Sequence, residues 1–202
     1  IVLTMLTYGS SLWFPLYMDD VILTESVSRT TLAGIFYEPN VESYYRPFRL
    51  LPLKLVEIAT GQFHAETLHA INLGFQVIVG YLAGLVVWQL YPKQRIIYLL
   101  FPFNYQVIPW VSALTHLMTA TGTLLAVYFT EQWWHSQKWH HWLMVCLGVT
   151  FAVFSHENGV ASAYAIGLLF LLQPQRLRQW RRVILFFLPI IIHTVERRNF
   201  AG

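Results

Sequence analysis

Two adjacent carboxylates, Asp19 and Asp20, follow directly on the run Phe14-Pro15-Leu16-Tyr17-Met18. Such a pair can hold a divalent cation, or one member can act as general base while its neighbour's charge raises its pKa. It equally suits a solvated helix end. In Tyr44-Tyr45-Arg46-Pro47-Phe48-Arg49, Pro47 fixes the backbone beside Arg46. A guanidinium held this way matches a phosphate bidentately, or contacts lipid headgroups. His69 and Asn72 stand three apart and share one helix face; there they line a cavity or hydrogen-bond a neighbouring helix. Thr115-His116 has the same two readings. His156-Glu157 is an ionisable pair between two apolar stretches, with Gly159 beside it to permit a tight turn or close helix approach.

The elements that must position these residues are apolar to an unusual degree. Hydrophobic residues make up 56% of the 202-residue chain and charged residues only 11%, against about 25% charged in an ordinary soluble domain. Windows 67–92, 96–130, 139–156, 158–175 and 183–195 contain no Asp, Glu, Lys or Arg. Crossing roughly 30 Å of hydrocarbon takes about 20 helical residues, so 67–92 fits one span. Window 96–130 is too long for one, and Pro102, Pro109 and Asn104-Tyr105-Gln106 divide it.

The expected fold is therefore an all-α, polytopic transmembrane bundle of about seven spans: one to about Tyr17, then 67–91, 96–111, 113–130, 140–155, 159–173 and 183–195. Residues 1–202 read as a single membrane domain, a piece of a longer chain. The one long connection, 18–66, is expected as a loop in which Glu25 to Tyr37 forms an interfacial helix. Lys93, Arg95, Lys138, Arg176, Arg178, Arg181 and Arg182 fall in short connections on one side, which the positive-inside rule makes cytoplasmic. The chemistry-bearing residues then all face the other side. The net charge of +3 is scattered and forms no basic stripe interleaved with aromatics, so nucleic acid is not an expected partner; membrane lipids are. The lone Cys146 excludes an intrachain disulfide framework, and there is no Gly-rich phosphate loop or nucleophile elbow.

Taken in order, these pieces resemble the GT-C superfamily of multi-spanning glycosyltransferases, in particular the branch of the protein O-mannosyltransferases and their bacterial relatives. The resemblance lies in the acidic pair after a first span (Phe14 to Asp20), Tyr45-Arg46-Pro47-Phe48, and Leu68-His69-Ala70-Ile71-Asn72. It continues through Leu100 to Asn104, Val107-Ile108-Pro109-Trp110-Val111-Ser112 and Phe154-Ser155-His156-Glu157-Asn158-Gly159. It implies a multi-pass protein of the bacterial plasma membrane that moves a sugar from a polyprenyl-phosphate-linked donor to an acceptor at the extracytoplasmic face. In that picture Asp19 or Asp20 is the catalytic base, Arg46 and His156 steady the donor phosphate, and His69 and Asn72 support the site. Glu157 orients a cation or, with Asp19 and Asp20, holds a divalent metal. Relatives carry Lys where this chain has His156, and His-Pro where it has Phe103-Asn104.

A second class of protein fits the same composition: an accessory subunit of a larger membrane complex, with the aromatic-rich spans as a packing surface. His69, His116 or His193 would then be candidate axial ligands for a tetrapyrrole. A transporter would favour internal repeats, and the sequence contains none.

Overall fold

A computed structural model describes residues 2–38, 45–90, 110–171, 184 and 187–201. The described residues are mostly helical and contain no strand, so the fold class is all-α. The helices are α1 (Val2–Tyr8), α2 (Met18–Arg29), α3 (Gly34–Tyr37), α4 (Pro47–Thr60), α5 (Ala65–Leu90), α6 (Leu114–Ser136), α7 (Trp139–Ser155), α8 (Ala161–Leu171) and α9 (Leu188–Ala201). Tight 3-10 turns cover Gly9–Trp13, Val111–Ala113 and Glu157–Val160.

Two helical stretches, Ala65–Leu90 and Val111–Ser136, are long and apolar enough to cross a membrane. The 26 residues of α5 rise about 39 Å, more than the hydrocarbon thickness. Apolar α7 is 17 residues long, and most of the 96–111 span lies outside the described residues.

The expected first span is not one helix. It is α1, a 3-10 turn and an extended stretch at Phe14–Tyr17. The break follows from Gly9-Ser10-Ser11, where the Ser11 hydroxyl donates to the Tyr8 carbonyl at 2.7 Å. Pro15 then pushes Phe14 into extended backbone, ψ 144°.

Residues 18–66 also differ from the expected loop, since most of that stretch is helical and packed. The helix expected over Glu25 to Tyr37 is replaced by α2, which starts at Met18 and stops at Arg29, and the short α3. A third helix, α4, follows where only a turn was expected. Pro47 opens it at a first-turn position that needs no N–H. Gly61 closes it in the left-handed region at φ 76°, its N–H donating to the Glu57 carbonyl at 2.8 Å. Leu50 and Leu53 bury one face of α4 in a core with Leu23 and Val27 of α2, Leu68 of α5, and Leu114 and Met118 of α6. Lys54 is buried too; its ammonium donates to the Val27 carbonyl (3.1 Å) and to Glu57 (2.6 Å), tying α2 to α4.

Helices α6 and α7 cross at near backbone contact. A Cβ on Gly122 would lie 2.6 Å from the Gly148 carbonyl oxygen, and one on Gly148 would lie 2.8 Å from that of Gly122. Each glycine precedes an alanine by four residues, Ala126 and Ala152, so small residues line both sides of the crossing. Around it, Trp133, Val145, Val149, Val153 and Ile166 fill a second core.

Candidate functional site

The acidic pair divides at the first turn of α2. Asp20 points into the protein and is fully buried, whereas Asp19 is exposed. Asp20 Oδ1 accepts from the Ser112 N–H (2.6 Å) and hydroxyl (3.0 Å), and its Oδ2 accepts from the Tyr17 N–H at 3.2 Å. The second bond is half of a capping box, satisfying one of the donors a helix start leaves free. Asp19 makes no hydrogen bond or ion pair among the described residues. Of the two, only Asp19 is available to a reactant.

His69 and Asn72 do share a face of α5, and both are fully buried. The His69 Nε2 meets the Phe14 carbonyl at 3.0 Å, and the Asn72 amide donates to the Trp110 carbonyl at 2.9 Å. Phe14 belongs to the extended stretch before Asp20, and Trp110 leads into the Val111–Ala113 turn that carries Ser112. These two side chains thus hold both backbone segments that meet at the buried carboxylate. They position the site and do not face out of it.

Arg46 and Glu157 meet across the fold. The guanidinium donates from Nε to Glu157 Oε2 (2.9 Å) and from Nη2 to Oε1 (2.7 Å), a bidentate fork. Arg46 is the residue just before α4, and Glu157 opens the 3-10 turn after α7. Tyr45 and Phe48 fix the start of α4 against α7: Phe48 stacks on Phe151 with centroids 5.6 Å apart, and Tyr45 sits edge-on to Phe154 at 5.9 Å. His193 of α9 closes the group, buried and 3.2 Å from the Tyr45 carbonyl.

His156 adjoins this pair, its Nδ1 3.5 Å from Glu157 Oε2. Its Nδ1 accepts the Asn158 N–H at 3.0 Å, so the neutral ring carries its proton on Nε2. Burial, reinforced by Arg46, His116 and Arg49, lowers its pKa from 6.5 to about 4, with Glu157 opposing. Burial pushes the carboxyl of Glu157 up, but the hydrogen bonds from Arg46 and the backbone, together with the charge of Arg46 and the neighbouring His156, hold it below its ordinary value. The exposed ring of His116 packs against His156, centroids 4.9 Å apart. The Thr115 hydroxyl bonds the Ser155 carbonyl, which fastens the start of α6 to the end of α7.

These bonds gather the candidate residues at one end of the helices: the starts of α2, α4, α5 and α6 with the finish of α7. Ser112, which holds Asp20, stands four residues before His116, about one helical turn. Arg49 and Ser112 carried no assigned role at the sequence level. Arg49 follows Arg46 by three and is buried; recognising Pro47 and Gly61 as the two ends of a helix would have put both guanidinium groups on one turn.

The three candidate cation ligands do not converge. Asp20 bonds Ser112, Glu157 bonds Arg46, and Asp19 stands exposed. Among the described residues no three His, Cys, Asp or Glu side chains form a metal-holding group. Of the histidines considered as axial ligands, His69 and His193 have Nε2 against backbone carbonyls. No family model, curated protein or solved structure matches the chain.

Proposed function

We propose that the protein is a multi-pass membrane glycosyltransferase of the GT-C type. It transfers a sugar from a polyprenyl-phosphate-linked donor to an acceptor hydroxyl at the extracytoplasmic face of a bacterial plasma membrane, through a bundle of about seven spans. The observation that carries this reading is the division of the acidic pair, a buried Asp20 anchoring an exposed Asp19 at the same helix ends as the Arg46–Glu157 fork.

The membrane part of the reading draws support from the outer surfaces of the helices. Only 22% of the apolar α5 window is buried, and Ile78, Tyr81 and Trp88 face outward. Tyr164, Leu168, Ile191, Ile192 and Val195 do the same on α8 and α9, as lipid-facing positions would. The polar cluster lies opposite the α6–α7 connection at Gln137-Lys138, one of the short basic turns assigned to the cytoplasm.

In the reaction, the Asp19 carboxylate takes the proton of the acceptor hydroxyl as its oxygen attacks the anomeric carbon from the face opposite the phosphate. The bond between that carbon and the phosphate oxygen breaks, and its electron pair leaves with the lipid phosphate. Arg46 and Arg49 meet the negative charge that develops there, and a neutral His156 offers an N–H without adding a fixed charge. His69, Asn72 and Asp20 hold the backbone that sets the distance between base and phosphate.

The test is transfer of labelled sugar from polyprenyl-phosphate donors by the protein reconstituted in lipid. Asp19→Asn is expected to abolish transfer with an unchanged melting temperature, and Asp20→Asn to lower both. Wild-type turnover by Asp19→Asn would remove it as the base. Absence of transfer from every donor would move the protein to the accessory class on the same scaffold.

A further inference from the structure

Glu157 occupies the place where a phosphate would sit on Arg46. A carboxylate and a phosphate present the same pair of oxygens to the guanidinium fork, and only one of them fits at a time. The two partners are unequally enclosed: the Arg46 side chain is 11% exposed and that of Glu157 30%. Arg46 is fixed where Pro47 and the Tyr45 and Phe48 ring contacts hold the start of α4. Glu157 stands on a single 3-10 turn and has a solvent-facing side toward which to move. A largely enclosed donor with a more exposed acceptor is the arrangement expected of a ligand site closed by a stand-in.

We propose that Glu157 is an internal competitor for the phosphoryl group: a phosphate ligand displaces its carboxylate from Arg46, and the carboxylate returns when the ligand leaves. This rests on the reading of Arg46 as a phosphate-binding residue and adds how that site is closed when empty. The ligand class is a phosphate ester on a lipid carrier, entering from the exposed side of Glu157. Competition holds down affinity for the released lipid phosphate and so favours turnover. A purely architectural ion pair has the opposite signature, because removing its carboxylate would leave Arg46 badly placed and weaken binding.

The experiment measures binding of a polyprenyl monophosphate to the reconstituted protein, with the uncharged polyprenol as blank and inorganic phosphate as competitor. Glu157→Gln is expected to bind the lipid phosphate about tenfold tighter than wild type, a change of about 1.4 kcal/mol. Glu157→Asp, which keeps the charge but shortens the reach, should fall between them. In the wild type, carbodiimide labelling of Glu157 should rise when the lipid phosphate is added, which reads displacement without any substitution. Competition by inorganic phosphate assigns the contact to the phosphoryl group; without it, the lipid tail is required for entry. Unchanged or weaker binding by Glu157→Gln with no rise in labelling overturns the displacement while leaving Arg46 as a phosphate ligand. Failure of wild type and variants alike to bind the phosphate above the polyprenol blank overturns both.

Discussion

One oxygen of Asp20 accepts two hydrogen bonds from a single residue, the main-chain N–H and the hydroxyl of Ser112, 92 positions further along the chain. That contact joins the first turn of α2 to the turn that starts α6, in the fully buried setting where an unpaired donor is costly.

Replacing Asp20 with Ala strands the Ser112 and Tyr17 donors. The expected cost is about 1–3 kcal/mol in all, since Asp20 is buried but its donors are only partly so, read as a lower melting temperature in detergent. Asp19→Ala, at an exposed position, should fall within about 0.5 kcal/mol of wild type. Equal losses at the two positions would contradict the division of the pair.

The α6–α7 crossing makes a sharp contrast among glycines. Gly122→Ala and Gly148→Ala each place a methyl against opposing backbone, and each should destabilise by about 1–3 kcal/mol. Gly84→Ala on the outward side of α5 meets nothing within 4 Å. It should be neutral or gain up to about 1 kcal/mol from helix propensity. Melting of the three variants side by side checks the packing directly.

Gly159 tests the hairpin that presents Glu157. A Cβ there would run into the Ala152 carbonyl at the end of α7, so Gly159→Ala must open the α7–α8 turn. The expected result is loss of the Arg46–Glu157 fork and of activity together, a change that distance measurements between labels at the two turns would report.

The pH dependence follows from His156. Its folded pKa, about 4, lies below the ordinary 6.5, so the unfolded chain binds this proton first as pH falls. The stability associated with a neutral His156 is complete above 6.5 and is lost progressively between 6.5 and about 4. Glu157, whose carboxyl is held low, contributes in the same sense, and its stabilisation is lost only at more acid pH, below its ordinary 4.5. His156→Gln should flatten the melting profile over the first window and leave the second in place; an unchanged slope would show that another group carries it.

Much of the helical framework was legible along the chain, because hydrocarbon-length runs without charge are a local property. The stretches expected as spans at 67–91 and 140–155 coincide as helices with α5 and α7 to within a residue or two, and the i, i+3 spacing of His69 and Asn72 correctly put them on one face. The expected first span failed where Gly9, Ser11 and Pro15 broke an apolar run, since hydropathy counts side chains and not backbone freedom. Helix α4 was hidden because its buried Arg49 and Lys54 look like a solvated segment until their partners are known.

By itself the sequence determined the class of element, the apolar surfaces and the inventory of groups able to act as base or phosphate ligand. Each of these depends on residue type and near neighbours. Only the tertiary structure decided which of two adjacent carboxylates is free, that Glu157 lies on Arg46, and that His156 is kept neutral. Those outcomes depend on burial and on partners 92 and 111 positions away; no pattern of local spacing encodes them.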